Sequence, residues 1–372
     1  MFTKENTKQI KGIAILLMMA HHLFAFPDRV PYGMTLQTPF YISGMELTEL
    51  IGCFGKICVS IYMFLGGYGL YMRLTEDIRE NRESNRLGED IARIYKAYWR
   101  VFLIFIPIAF IFFGNQMQYC ANEAICNRYA EWKVKDFLMN FVGLSNSFNS
   151  EWWFLKSYLF ALFEGYIFIQ IFKNSKRLYL EMGSVILWSV LVMNVFPIIP
   201  FAEGYELLWN NMWYDGICLG SEYTVLFLIG IIFAKYEIFE NWKNRMDKLR
   251  KNEEIVLALF LTGLVAYVRV FFTTVEFDVL LAPLFIFGCW QIIEKGNLLK
   301  KVFGFLGVHS TNMWLIHTFY CFYFSTFAII VYGSNNAVVS YLVLLTLSLG
   351  SSILINKFWK IIERARNHCP IL

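Results

Sequence analysis

The chain has 372 residues, 57% hydrophobic and 19% aromatic, with a net charge of +4 and a mean hydropathy of +0.48. A soluble fold cannot hide that much apolar surface, so lipid is the expected solvent. The small net charge, with no block of Lys and Arg interleaved with aromatics, excludes nucleic acid as a partner, and eight scattered cysteines without a CxxC give no support to a metal site.

Apolar segments fall at 10–26, 51–72, 99–113, 151–172, 178–200, 217–234, 254–272, 275–293, 309–332 and 337–356. They predict an all-α polytopic membrane bundle of about ten transmembrane helices, read as one integral membrane domain over 1–372. Lys4, Lys8 and Lys11 precede the first segment as they would a secretory signal. No A-x-A site follows and the run continues through His21 and His22, so it is read as a retained helix. The segment 137–149 is too short to cross about 30 Å at about 1.5 Å per residue and reads as re-entrant or interfacial.

Charge sets the orientation. Of the 33 basic residues, 26 fall with the two termini and the loops at about 73–98, 173–177, 235–253 and 295–301, counting Arg100 at the mouth of the third helix. Four fall on the other side (Arg29, Arg128, Lys133 and Lys135), while Lys56, Lys156 and Arg269 stay within the apolar layer. The excess predicts both termini in the cytoplasm. Cys120 and Cys126 then share an external loop, where an oxidising compartment permits a bridge without requiring one. Trp209 to Tyr214 form an outer aromatic run, suited either to stacking on a sugar or to anchoring at the interface. No internal repeat is visible.

Ionisable groups inside a bilayer are costly unless paired or wet, so each is a candidate for function. They are His21, His22, Lys56, Glu151, Lys156, Glu164, Glu222, Arg269, His309 and His317. His22 stands eleven residues beyond Lys11, about 16 Å along a helix and so near the middle of the membrane. A neutral imidazole there can take the proton of a hydroxyl that attacks a carbonyl; the plainer reading is a His hydrogen-bonded within the bundle. His21 points about 100° away, so only one of the two is expected to face a given site. Arg93 and Lys96 share a helical face and suit a phosphate clamp, or simple anchoring beside Tyr95, Tyr98 and Trp99.

Three stretches together resemble the acyltransferase 3 family of bacterial integral membrane acyltransferases, which act on cell-surface carbohydrates. The first is Lys8-Gln9-Ile10-Lys11-Gly12-Ile13-Ala14-Ile15-Leu16-Leu17 with His22, similar to the family's basic residue, ten positions and a His. The second is Phe64-Leu65-Gly66-Gly67-Tyr68-Gly69-Leu70, followed by the basic pair Arg93 and Lys96. The third is the run from Gly307 to Phe319, which carries His309, Ser310, Asn312 and Leu315-Ile316-His317.

The resemblance implies His22 as the essential His, acting as general base or as a covalent acyl relay, with Lys11, Arg93 and Lys96 beside an acyl-coenzyme A donor such as acetyl-CoA, and a bacterial cytoplasmic membrane location. Lys replaces the commoner Arg at 11 and 96, which keeps charge but loses the bidentate fork. The family's Glu-containing segment is matched loosely by Ser150 to Leu155, which makes Glu151 a candidate carboxylate. Glu151 or His317 would orient His22 or assist with the proton, and Ser310 and Asn312 would face a thioester oxyanion, or else hold helices together. The expected partners are the acyl-CoA, a surface or lipid-linked glycan acceptor and membrane lipid. The oligomeric state, a homo-oligomer included, is open. A transporter is the rival reading, since midplane ionisable groups also serve proton relays.

Overall fold

A computed structural model describes residues 2–31, 33–38, 40–42, 44–80, 86–114, 128–201, 204, 212–272 and 274–368. It is 82% helical, which makes the chain all-α. The only sheet among the described residues is a two-stranded hairpin, β1 (Tyr41–Ile42) with β2 (Met45–Glu46), paired antiparallel.

The helices in chain order are α1 (Lys4–Phe24), α2 (Leu47–Gly55), α3 (Ile57–Arg79), α4 (Arg86–Phe112), α5 (Val134–Phe141), α6 (Trp153–Ile171) and α7 (Leu178–Val190). There follow α8 (Met212–Lys235), α9 (Ile238–Met246), α10 (Lys251–Phe271), α11 (Val275–Glu294), α12 (Asn297–Thr318), α13 (Ser325–Tyr332) and α14 (Ala337–His368).

Among the described residues, six stretches are long and apolar enough to cross a membrane: Leu47–Arg79, Arg86–Phe112, Ser150–Ile171, Lys251–Phe271, Glu276–Glu294 and Ala337–Ala365. A seventh results if α12 and α13, bent by 87° after a π-helical turn at Phe319–Tyr323, count as one span. The chain is therefore a multi-pass membrane protein. Every apolar segment read from the sequence contains helix, yet α7 is short and passes into a π-helical turn at Leu191–Val195 and a 3-10 turn at Phe196–Phe201. Pro197 has no N–H to continue the ladder there. The stretch 73–98, expected as a loop, is largely helix, because α3 and α4 continue past their apolar parts with charged residues.

By its internal contacts the chain forms two compact units. The first comprises Met1–Ala14, Lys56–Glu89 and Trp153–Gly304. Its α3 and α8 touch backbone to backbone, since a Cβ on Gly67 would collide with the Phe227 carbonyl and one on Gly230 with that of Phe64. Small residues allow helices this approach in lipid, where apolarity alone does not drive association. Phe2, Phe64, Tyr68, Phe239 and Trp290 form an aromatic core. Arg269, a candidate from its depth, is fully buried and pairs with Asp278 at 2.5 Å (Nε to Oδ1), while Ser60 donates to the other Asp278 oxygen at 2.6 Å. Glu181 is likewise held, by Lys235 and Tyr236.

The second unit comprises Ile15–Gly55, Asp90–Trp152 and Phe305–Leu372. Here α5 runs antiparallel along α4. Trp132 packs on Phe110, Phe137 on Phe102 and Phe141 on Trp99, a descent of about 16 Å at about 1.5 Å per residue. Tyr95, Tyr98 and Trp99 donate to the carbonyls of Val142, Asn140 and Phe141. These three aromatics, which the sequence also suits to interface anchoring, instead cap the C-terminal carbonyls of α5. The returning chain sets Trp152 against Tyr98 and Phe102, so the turn that starts the next helix, Ser150–Trp152, lies beside the middle of α4.

Candidate active site

The last turn of α1 carries His21 and His22. The helix ends at Phe24, just before Pro27, so His22 lies in its last turn. Gly52 and Gly55 let α2 lie against this turn: a Cβ on Gly55 would stand 2.5 Å from the Leu17 carbonyl and 3.0 Å from the His21 Cβ. His21 turns toward α2, its Nδ1 2.7 Å from the Gly52 carbonyl. His22 therefore points elsewhere, as about 100° per residue requires.

His22 points toward Glu151 and His317. Its Nδ1 stands 3.9 Å from Glu151 Oε1, and its ring centroid 5.0 Å from that of His317. Three residues singled out in the sequence are thus neighbours, contributed by α1, the turn before α6, and α12. The same carboxylate oxygen also binds Arg29, whose positive charge offsets its field at the imidazole.

Glu151 is itself held from two sides. Arg29 Nη1 donates to Oε1 at 2.7 Å, and the Tyr323 hydroxyl donates to Oε2 at 2.7 Å. Its backbone N–H donates to Asn149 Oδ1 at 3.1 Å, and Asn149 in turn donates to Thr318 at 2.9 Å. Tyr323 belongs to the π-helical turn after α12, a rare geometry that shifts side-chain direction by about a residue relative to an α-helix. Burial works against the charge of Arg29, but Glu151 outweighs it and holds the guanidinium pKa above its ordinary value.

His317 Nδ1 lies 3.1 and 2.9 Å from the carbonyls of Met313 and Trp314 in its own helix. Only a ring N–H can bond to carbonyls, so this nitrogen carries the hydrogen and the other, in the neutral ring, carries a lone pair. That other nitrogen, Nε2, is buried and has no hydrogen-bond partner, as is true of His22 Nδ1. Orphaned buried polar atoms are uncommon and mark either strain or a place for a ligand. Two of them occur here beside one charged pair.

The remaining candidates make contacts of their own. Arg93 pairs with Asp90 at 2.5 Å and Lys96 with Glu363 at 2.9 Å, where Arg100 also binds. Both side chains are more than half exposed, and such pairs cost only about 0–1 kcal/mol to break, so both remain available to an anionic ligand. Lys11 belongs to the first unit, where its carbonyl accepts from Tyr62. His309 Nδ1 lies 2.8 Å from Ser352 Oγ, Asn312 donates to Asn356 and Ser310 to Gly307 of its own helix. The His309 and Asn312 contacts join α12 to α14, as in the helix-holding reading, while that of Ser310 stays within α12. Glu164 accepts from Trp188. Cys120, Cys126 and Trp209 lie outside the described residues, as does the Glu222 side chain.

Arg29 and Tyr323 escaped the sequence reading. Arg29 counted only as one external charge, and no periodicity links it to a carboxylate 122 positions away.

The model of a family described as an acyltransferase domain matches residues 8–357, nearly the whole chain. No curated protein and no solved structure matches it.

Proposed function

The chain belongs to the acyltransferase 3 family, which makes it a membrane acyltransferase, and we propose that it moves an acyl group, most simply acetyl, from cytoplasmic acyl-CoA to a carbohydrate hydroxyl. The acceptor is a cell-surface or lipid-linked glycan, and the setting is the bacterial cytoplasmic membrane, crossed about ten times with both termini inside. The observation that carries this reading is the approach of His22 Nδ1 to Glu151 Oε1 at 3.9 Å, in a buried cluster that includes His317.

In this reading His22 takes the proton as the acceptor oxygen attacks the thioester carbonyl. The new C–O bond forms, the C–S bond breaks, and the proton passes from the imidazole to the departing thiolate. Glu151 stabilises the transient imidazolium, while Lys11, Arg93 and Lys96 bind the donor's phosphates. The exposure of Arg93 and Lys96 supports the last role.

The test is turnover of radiolabelled acetyl-CoA by the protein in nanodiscs, with a membrane glycan extract as acceptor, comparing wild type with His22→Ala. Transfer that disappears in a folded His22→Ala protein supports the reading. A wild type that neither binds nor turns over the donor overturns it and returns weight to transport.

A further inference from the structure

The side chains around His22 bear on which of its nitrogens reacts. Arg29 is fixed as tightly as the carboxylate it binds, since its guanidinium carbon lies 4.2 Å from the centroid of Phe26 and 4.7 Å from that of Phe322. The same two rings border His22: Phe26 stacks nearly parallel to the imidazole at 5.7 Å and 14°, and Phe322 meets it edge-on at 6.3 Å. A flat, delocalised cation suits such a slot in a way that an ammonium does not. With Tyr323 on the second oxygen, Glu151 has no free choice of rotamer, and its Oε1 faces Nδ1 of His22.

We propose that Arg29 is a positioning residue which, through Glu151, selects the His22 tautomer with its hydrogen on Nδ1 and so reserves Nε2 as the proton acceptor. The opposite tautomer turns the Nδ1 lone pair toward a carboxylate oxygen 3.9 Å away, a repulsive arrangement inside a site shielded from water. Of the other titratable groups facing His22, His317 keeps an uncommitted Nε2 lone pair, which can accept from the ring nitrogen that faces it. His21 engages the Gly52 carbonyl through its own Nδ1, and the Nδ1 of His317 is committed to Met313 and Trp314. Catalytic imidazoles are commonly oriented in this manner by a third group, and such contacts are often long before substrate binds. The inference rests on the acyl-transfer reading for its chemistry, but the tautomer is measurable without any substrate.

The protein has five histidines, so nitrogen-15 spectra of histidine-labelled protein in nanodiscs are tractable, with His22→Gln identifying the His22 signals. The expected wild-type result is a protonated Nδ1 and a bare Nε2. That preference disappears in Arg29→Met and Glu151→Gln and survives in Arg29→Lys. In turnover, Arg29→Met is expected to lower kcat about 100-fold with little change in the donor KM, and Arg29→Lys to recover part of the loss. A wild-type His22 protonated on Nε2, or a preference that survives Arg29→Met, overturns the proposal; the first of these needs no variant to fold. The expected tautomer in a protein that does not turn over acyl-CoA upholds the positioning role and overturns the acyl-transfer reading alone.

Discussion

His22 Nδ1 and Glu151 Oε1 stand 3.9 Å apart, although the residues are separated by most of a hundred and thirty positions. The distance exceeds a hydrogen bond, so the carboxylate acts on the imidazole through its field and tightens only when the ring becomes charged. Glu151→Gln keeps the shape and removes the charge. It is expected to reduce kcat about 100-fold or more with little change in donor affinity. Steady-state kinetics on acetyl-CoA checks this, and a kcat within a few-fold of wild type would leave Glu151 with no electrostatic part.

His317 separates from His22 by the partner each nitrogen has. Its Nδ1 bonds to its own helix, so His317→Gln keeps some packing and loses the Nε2 lone pair beside His22. The expected loss is smaller than for His22→Ala, by about tenfold or more. Equal losses in the two folded variants would point to one shared proton between the rings.

Arg93 and Lys96 test the donor side. If they meet phosphates, Arg93→Ala and Lys96→Ala raise the acyl-CoA KM severalfold and leave kcat nearly unchanged, the pattern of uniform binding. Titration of each variant with 3′-dephospho and intact donor analogues, read by equilibrium binding, distinguishes a phosphate contact from a fold defect.

The buried pair Arg269 and Asp278 is expected to serve stability. Removing one partner leaves an uncompensated buried charge, at a cost of about 3–5 kcal/mol, whereas an apolar pair such as Arg269→Met with Asp278→Leu recovers most of it. Thermal unfolding in a mild detergent reads both. A double variant that is stable but inactive would instead give the pair a functional role.

Gly55 sets the seat of α1. A Cβ there meets the Leu17 carbonyl and the His21 Cβ, so Gly55→Ala forces the last turn of α1 to move. The expected cost is about 1–3 kcal/mol together with a fall in turnover larger than that of Gly69→Ala, whose Cβ would meet nothing.

The helices were legible because lipid demands long apolar runs, and every such run in the sequence contains helix. His22, Glu151 and His317 stood out for the same reason, as costly groups in apolar surroundings. Arg29 and Tyr323 did not, since an Arg near a helix end and a Tyr in an aromatic run are ordinary in membrane proteins. Their meaning arises only from folding, when the π-helical turn at Phe319–Tyr323 and the chain's return along α4 bring them to one carboxylate. The helical continuation of 73–98 was hidden because charge marks where apolar contact ends and is silent on where the backbone stops coiling.

The antiparallel course of α5 beside α4 makes the spacing between imidazole and carboxylate a matter of chain length. Glu151 hangs from the returning limb, ten residues beyond the end of α5, and aromatic pairs fix where that helix stops against Trp99. One residue inserted between Val142 and Asn149 would leave every helix and every site side chain intact and still detune the pair. Relatives that differ in the length of this link are then expected to differ in rate before they differ in any residue of the site.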